Sequence, residues 1–111
     1  QISHADFVDH SGLTEHSLLN KQCREHSLFG ITCCGASISR DLSKSIIGDF
    51  FGNIRVFENK QNSELLATFN IGDSARYVHF HDFIDDIAFI GCMTGNLNVL
   101  TLSDETLKQV Y

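Results

Sequence analysis

The residues best suited to chemistry are His79-Phe80-His81-Asp82, followed closely by Asp85 and Asp86. On a strand, His79 and His81 project to one face, a spacing that can hold a zinc ion. A carboxylate from Asp82, Asp85 or Asp86 can complete such a site or orient an imidazole. The competing reading is a polar strand face at a sheet edge, because ligand pairs without a third and fourth partner arise readily by chance. Cys23, His26, Cys33 and Cys34 form a second, looser group. It lacks paired Cys-x-x-Cys spacing, so an N-terminal loop beside core thiols explains it better. Asp41 and Asp49 fall where turns need short polar side chains. No Ser-His-Asp order, phosphate-cradling glycine loop or dinucleotide fingerprint is present. The expectation is a non-enzyme with no cofactor. His79 and His81 are its metal candidates, and a metal-binding or enzymatic protein built on them is an alternative.

These residues need elements to position them, and a repeat supplies the elements. Residues 46–57 reappear in outline as residues 89–100, with Gly48 matching Gly91, Gly52 matching Gly95 and Val56 matching Val99, each pair 43 positions apart. Self-similarity at that period, carried by short apolar strands and Gly-Asn turns, points to propeller blades. Strands are expected over 30–37, 45–49, 54–57 and 65–69, then over 76–81, 87–91, 97–102 and 107–111. Tight hairpin turns are expected at Gly52-Asn53 and Gly95-Asn96. Within 76–81, Tyr77, His79 and His81 share one face, and Val78 and Phe80 the other. The fold class is therefore all-β: two four-stranded antiparallel blades of an incomplete propeller, over 29–71 and 72–111. A polar segment over 1–28 precedes them as a loop or short helix, with Thr14 as a candidate N-cap and Leu18, Leu19 and Cys23 as a thin apolar stripe.

Size and charge narrow the partners. The 111 residues carry 14 acidic and 8 basic side chains, a net charge of −6, which repels phosphate backbones, and the basic residues are scattered. No direct nucleic-acid binding is expected from this segment. No apolar run approaches the ~20 residues that cross a bilayer, so no membrane partner is expected. Cys33 and Cys34 are adjacent in a strand and point to opposite faces, which suits separate thiols and a reducing, intracellular setting. Two blades leave large apolar faces in water, and closure takes roughly four to eight. The chain is thus expected to be a fragment, to pair with another chain, or to be flanked by further blades.

The two units resemble WD-type repeats in rhythm. The strand, turn, strand, Gly-Asn hairpin and Ile54-Arg55-Val56-Phe57-Glu58 run is similar to the segment that usually ends in Trp-Asp, and His26 lies about where that family places its Gly-His. Phe57-Glu58 and Leu100-Thr101 replace the Trp-Asp pair. Phe51 and Thr94 replace the tight-turn Asp, so the buried hydrogen-bond network of those repeats does not carry over. A narrower resemblance rests on Ile46-Ile47-Gly48-Asp49, Asp73, Arg76-Tyr77, Asp85-Asp86 and Gly95-Asn96-Leu97-Asn98-Val99-Leu100. These resemble the last propeller of one family. It comprises the large subunit of the cleavage and polyadenylation factor, the damaged-DNA-binding adaptor of cullin ubiquitin ligases, and a splicing-factor relative. The resemblance covers about residues 45–103. It implies a non-catalytic scaffold or adaptor in a multi-subunit nuclear complex of the ubiquitin-ligase or RNA-processing type. Its partners would be other protein subunits and the remaining blades, from the same or another chain. A WD-type module that reads peptides is the alternative.

Phe50 and Phe51 are the sharpest candidates for partner binding. Consecutive aromatics beside a hairpin cannot both point inward, so one is free to anchor a partner. The competing expectation is that one packs between blades and the other covers the hairpin. Arg55 and Arg76 are candidates to flank such a patch, and as scattered arginines they read equally as solvated strand-edge charges.

Overall fold

A computed structural model describes residues 18–19, 21–24, 33–59 and 63–111. Eight strands account for most of them. They are β1 Cys33–Ile38, β2 Lys44–Asp49, β3 Asn53–Asn59, β4 Ser63–Asn70, β5 Ala75–Phe80, β6 Ile87–Cys92, β7 Leu97–Thr101 and β8 Thr106–Gln109. They form two four-stranded antiparallel meanders, β1-β2-β3-β4 and β5-β6-β7-β8, in a blade-like layout. The chain is all-β, with the strands where alternating apolar residues and turn signals place them. Residues 18–19 and 21–24 are helical. The candidate cap Thr14 and residues 30–32 of the first expected strand lie outside the described residues.

Alternation sorts the side chains by face. In β3, Ile54 and Val56 are buried while Arg55 and Phe57 between them are half-buried. In β6, Ala88 and Ile90 are buried while Ile87 and Phe89 are half-buried. The two sheets meet through one such face each. Ile46, Ile54 and Val56 of the first sheet pack with Ala75, Val78, Phe80, Ala88, Ile90 and Leu100 of the second. Ala67, Phe69, Ile71, Leu102 and Leu107 surround this core. Burying such a set withdraws roughly 1.5–3 kcal/mol of apolar exposure per large side chain, which is what joins the sheets.

Close approach is set by small residues. β5 lies against β1 and β2, and a Cβ on Gly48 would stand 2.7 Å from the Ala75 Cβ. Register shifts between Cys33 and Gly35 and between Ala75 and Tyr77 bend the leading strand of each sheet at its start. The pairings Gly35↔Gly48 and Tyr77↔Gly91 then make Tyr77 the counterpart of Gly35. The repeat is thus 42 residues in the leading strand and 43 from the second strand on, because the β5–β6 connection is one residue longer.

The helical segment reaches the other face of the first sheet through Gln22. Gln22 is fully buried there. Its Oε1 accepts from the Ser45 hydroxyl at 2.6 Å, and its Nε2 donates to Asn59 Oδ1 at 2.8 Å and to Ser63 Oγ at 3.1 Å. A buried amide satisfied this fully ties the segment to the sheet by polar contacts, beside the buried Leu18.

Candidate functional site

Two surfaces stand out: the hairpin tips at one end of the sheets and the outward face of the second sheet. The β2–β3 tip is a four-residue turn, 49–52, closed by the Gly52 amide donating to the Asp49 carbonyl at 3.2 Å. Gly52 has φ +88, and a Cβ there would lie 2.6 Å from the Asp73 carbonyl oxygen. Its glycine is therefore required both by conformation and by space. The central residues of the turn are Phe50 and Phe51 rather than Gly52-Asn53, and Asn53 already belongs to β3.

This corrects the expectation that one phenylalanine packs between the sheets. Phe50 is 50% exposed and Phe51 62%, with their rings edge-to-face at 5.6 Å. Turn centres project away from both strands, so neither ring reaches the core. The backbone that carries them is nonetheless held in place. Asp49 is fully buried. Its Oδ1 accepts from the Phe51 amide at 2.8 Å and the Asn53 amide at 2.9 Å, and its Oδ2 accepts from Asn53 Nδ2 at 3.0 Å. The turn role read for Asp49 is what the structure shows.

The β6–β7 tip solves the same problem differently. Cys92 stands where Asp49 stands in the first sheet, so this turn has no carboxylate of its own. Asp73, from the connection between the sheets, supplies one: its Oδ2 accepts the Thr94 amide at 3.2 Å and also the Thr94 hydroxyl. That hydroxyl is the main reason the Asp73 carboxyl sits below its ordinary value, against a smaller desolvation effect. Met93, the neighbour of Thr94 in this turn, is 55% exposed. The role of Asp73 is hidden in sequence; its signal is the missing acid at position 92. Burial and the Asp73 charge push the Cys92 thiol up, partly offset by Asn98 Nδ2 donating to its sulfur at 3.4 Å.

The outward face of the second sheet carries Tyr77, His79, Ile87, Phe89, Leu97 and Val99. These alternate with the core residues Val78, Phe80, Ala88, Ile90 and Leu100. Their counterparts in the first sheet make a direct comparison. Phe89, Leu97 and Val99 match Ile46, Ile54 and Val56, which are 0%, 0% and 1% exposed under the second sheet. The matching residues are half-buried, and Tyr77 is 55% exposed. The Tyr77 ring lies over Gly91, with Cδ2 3.7 Å from where a Cβ would be, and it stacks on His79 at 6.0 Å.

The histidines share this side as their spacing requires, but one ring nitrogen of each is engaged. His79 Nε2 is 3.1 Å from Asp82 Oδ1. His81 Nδ1 accepts from the Phe83 and Ile84 amides at 3.0 and 2.9 Å. No group of three or more His, Cys, Asp or Glu side chains among the described residues is placed to hold a metal ion. Cys33 and Cys34 both fall in β1, and Cys23 is half-buried in the helical segment. Arg55 is mid-strand on the face of the first sheet turned away from the second, and Arg76 is exposed at the β5 bulge. At the end opposite the tips, Arg40, Asp41, Lys44, His81, Asp85 and Asp86 line a shallow groove of about 190 Å³. Asp41 there is a turn acid. Burial raises its carboxyl, but the Ser43 hydroxyl and amide, the Ser39 hydroxyl and the Lys44 charge together bring it below its ordinary value.

No protein-family model matches the sequence, and no curated protein is significantly similar to it. No helix among the described residues is long and apolar enough to cross a membrane.

Proposed function

We propose that this chain is a non-catalytic propeller segment, a scaffold or adaptor piece that works inside a larger protein assembly. The observation that carries the reading is the repeat of a covered face as an open one. Ile46, Ile54 and Val56 are sealed by the second sheet, and Phe89, Leu97 and Val99 present the same register with no sheet over them among the described residues. An apolar sheet face of this kind is an association surface. Further blades, from the same or another chain, are the occupants the repeat calls for, and the rigid Phe50–Phe51 tip adds an aromatic anchor for another subunit. Arg55 and Arg76 remain the candidate polar rim. The sequence resemblance supports placing that assembly in the nucleus, as a ubiquitin-ligase adaptor or RNA-processing scaffold with WD-like repeats.

The test is the native mass of the purified chain by light scattering, together with binding of a hydrophobic dye. The expected result is a discrete oligomer or complex, or dye binding that Val99→Lys and Phe89→Lys suppress. A 12.4 kDa monomer that binds no dye refutes the open-face reading.

A further inference from the structure

The β5–β6 connection is held by an unusual acceptor. His81 Nδ1 receives two backbone amides, those of Phe83 at 3.0 Å and Ile84 at 2.9 Å. A nitrogen that accepts twice carries no proton, so the neutral ring has its proton on Nε2. His81 here does what an Asp side chain does in most turns, with a ring nitrogen that can take up a proton. The residues it holds are a strongly exposed apolar pair: Phe83 is 79% exposed and Ile84 56%.

We infer that His81 is a proton-operated latch on the loop that presents Phe83 and Ile84. Protonating Nδ1 turns the acceptor into a donor facing two donors, so both hydrogen bonds are lost together. The rest of the loop has its own anchors. Asp82 is held by His79 Nε2 at 3.1 Å and through its carbonyl by Arg40 at 3.3 Å; the Asp86 carbonyl accepts the Leu102 amide at 2.8 Å; and the His81 amide donates to the Ile87 carbonyl at 2.8 Å. None of these involves His81 Nδ1. Protonating His79 strengthens its contact with Asp82, so the two histidines respond to acid in opposite senses. The opening is therefore local to 83–84.

Charges around His81 come from several elements. On its own strand and loop are His79, Asp82, Asp85 and Asp86, the β1–β2 turn brings Arg40 and Asp41, and β2 brings Lys44. Phe83 and Phe89 pack their rings beside it at 6.4 and 5.8 Å. The acids favour the imidazolium and the cations oppose it. None of them changes which hydrogen bonds a proton on Nδ1 removes.

The experiment is an NMR titration of the full chain from about pH 8 to pH 5, the range in which imidazoles change charge. It follows the ring nitrogens of His79 and His81 and the hydrogen-exchange protection of the Phe83 and Ile84 amides. At high pH the proton should be on Nε2 of His81. As His81 protonates, protection of both amides should fall about tenfold or more, as expected for the loss of two hydrogen bonds, while the Leu102 amide keeps its protection. His81→Asn retains an acceptor that does not titrate, so its loop should stay protected across the range. A neutral His81 carrying its proton on Nδ1, protection that ignores His81 titration, or a His81→Asn variant with the same pH response would each overturn the latch.

Discussion

Removing the Asp49 carboxylate should cost more than any other single change at the tips. The side chain is fully buried and accepts three hydrogen bonds at 2.8, 2.9 and 3.0 Å. Two of the donors are backbone amides of the turn, and neither regains a partner when Asp49 becomes Ala. A hydrogen bond to a charged acceptor contributes about 1.5–3 kcal/mol. One carboxylate shared by three donors at a partly wet tip delivers less than the sum, so Asp49→Ala should lose about 3–4 kcal/mol. For a chain near 100 residues that lowers Tm by roughly 15 °C. In urea it lowers the midpoint by about 1.5 M for a slope near 2 kcal/mol/M. Asp49→Asn keeps one acceptor oxygen but turns an amine toward Asn53 Nδ2, and should lose about half as much. Circular dichroism with urea, at unchanged slope, reads both. A loss under about 1 kcal/mol for the Ala variant, no more than one ordinary hydrogen bond, would refute the claim that this carboxylate holds the tip.

The remaining predictions separate strain, charge, burial and exposure. Gly95→Ala meets only backbone strain, since φ is +97 and the space is open, and should lose about 1–2 kcal/mol by urea unfolding. Gly52→Ala meets strain plus the Asp73 backbone at 2.6 Å and should lose at least about 1 kcal/mol more, because a backbone atom cannot step aside. The Asp73 carboxyl is lowered in the folded chain, so its contribution is present above its ordinary value of 3.8. It is lost as pH falls from there through the folded value, so over that window urea midpoints should fall less steeply in Asp73→Asn. Cys92, buried and pushed up, should alkylate more slowly than half-buried Cys23 in the native chain and at a similar rate once unfolded, as mass spectrometry can show. Phe51→Ala should shift stability by under about 1 kcal/mol because the ring is 62% exposed, while any partner that uses the tip should bind it measurably more weakly.

The strands are legible because a period-2 pattern interrupted by Gly and Asp turns states the same unit twice. The face assignments in β5 follow from alternation alone, and Val78 and Phe80 are in the core as that predicts. What stays hidden depends on pairs distant in sequence. Asp73 serves a turn 21 residues away, and Gln22 reaches Ser45 and Ser63. No local pattern encodes either contact. The outward placing of both Phe50 and Phe51 is hidden too, because Gly-Asn suggests a two-residue turn. The Asp49 side chain, by bonding the Phe51 and Asn53 amides, selects the four-residue one. His79 and His81 look like ligands by spacing, but backbone amides of the following loop, invisible in that spacing, occupy the second of them.

The two sheets are similar in register and opposite in accessibility, and that difference sets what the open face accepts. On the first sheet, Gly35 leaves room for Val78 and Ala75: a Cβ there would stand 3.1 Å from Val78 Cγ2 and 3.2 Å from the Ala75 carbonyl. On the second, the counterpart of Gly35 is Tyr77, whose ring already covers Gly91. A sheet docking as β5–β8 docks on β1–β4 would collide with that ring at the positions held by Val78 and Ala75. Such a partner therefore needs smaller residues at those positions, or must swing Tyr77 off Gly91 and lose its stack on His79. The covered face of the first sheet and the open face of the second share an apolar pattern, but a neighbour shaped for the first would not fit the second as it stands. Tyr77→Gly should then admit partners that the native chain rejects on size, with Phe89, Leu97 and Val99 still providing the apolar floor.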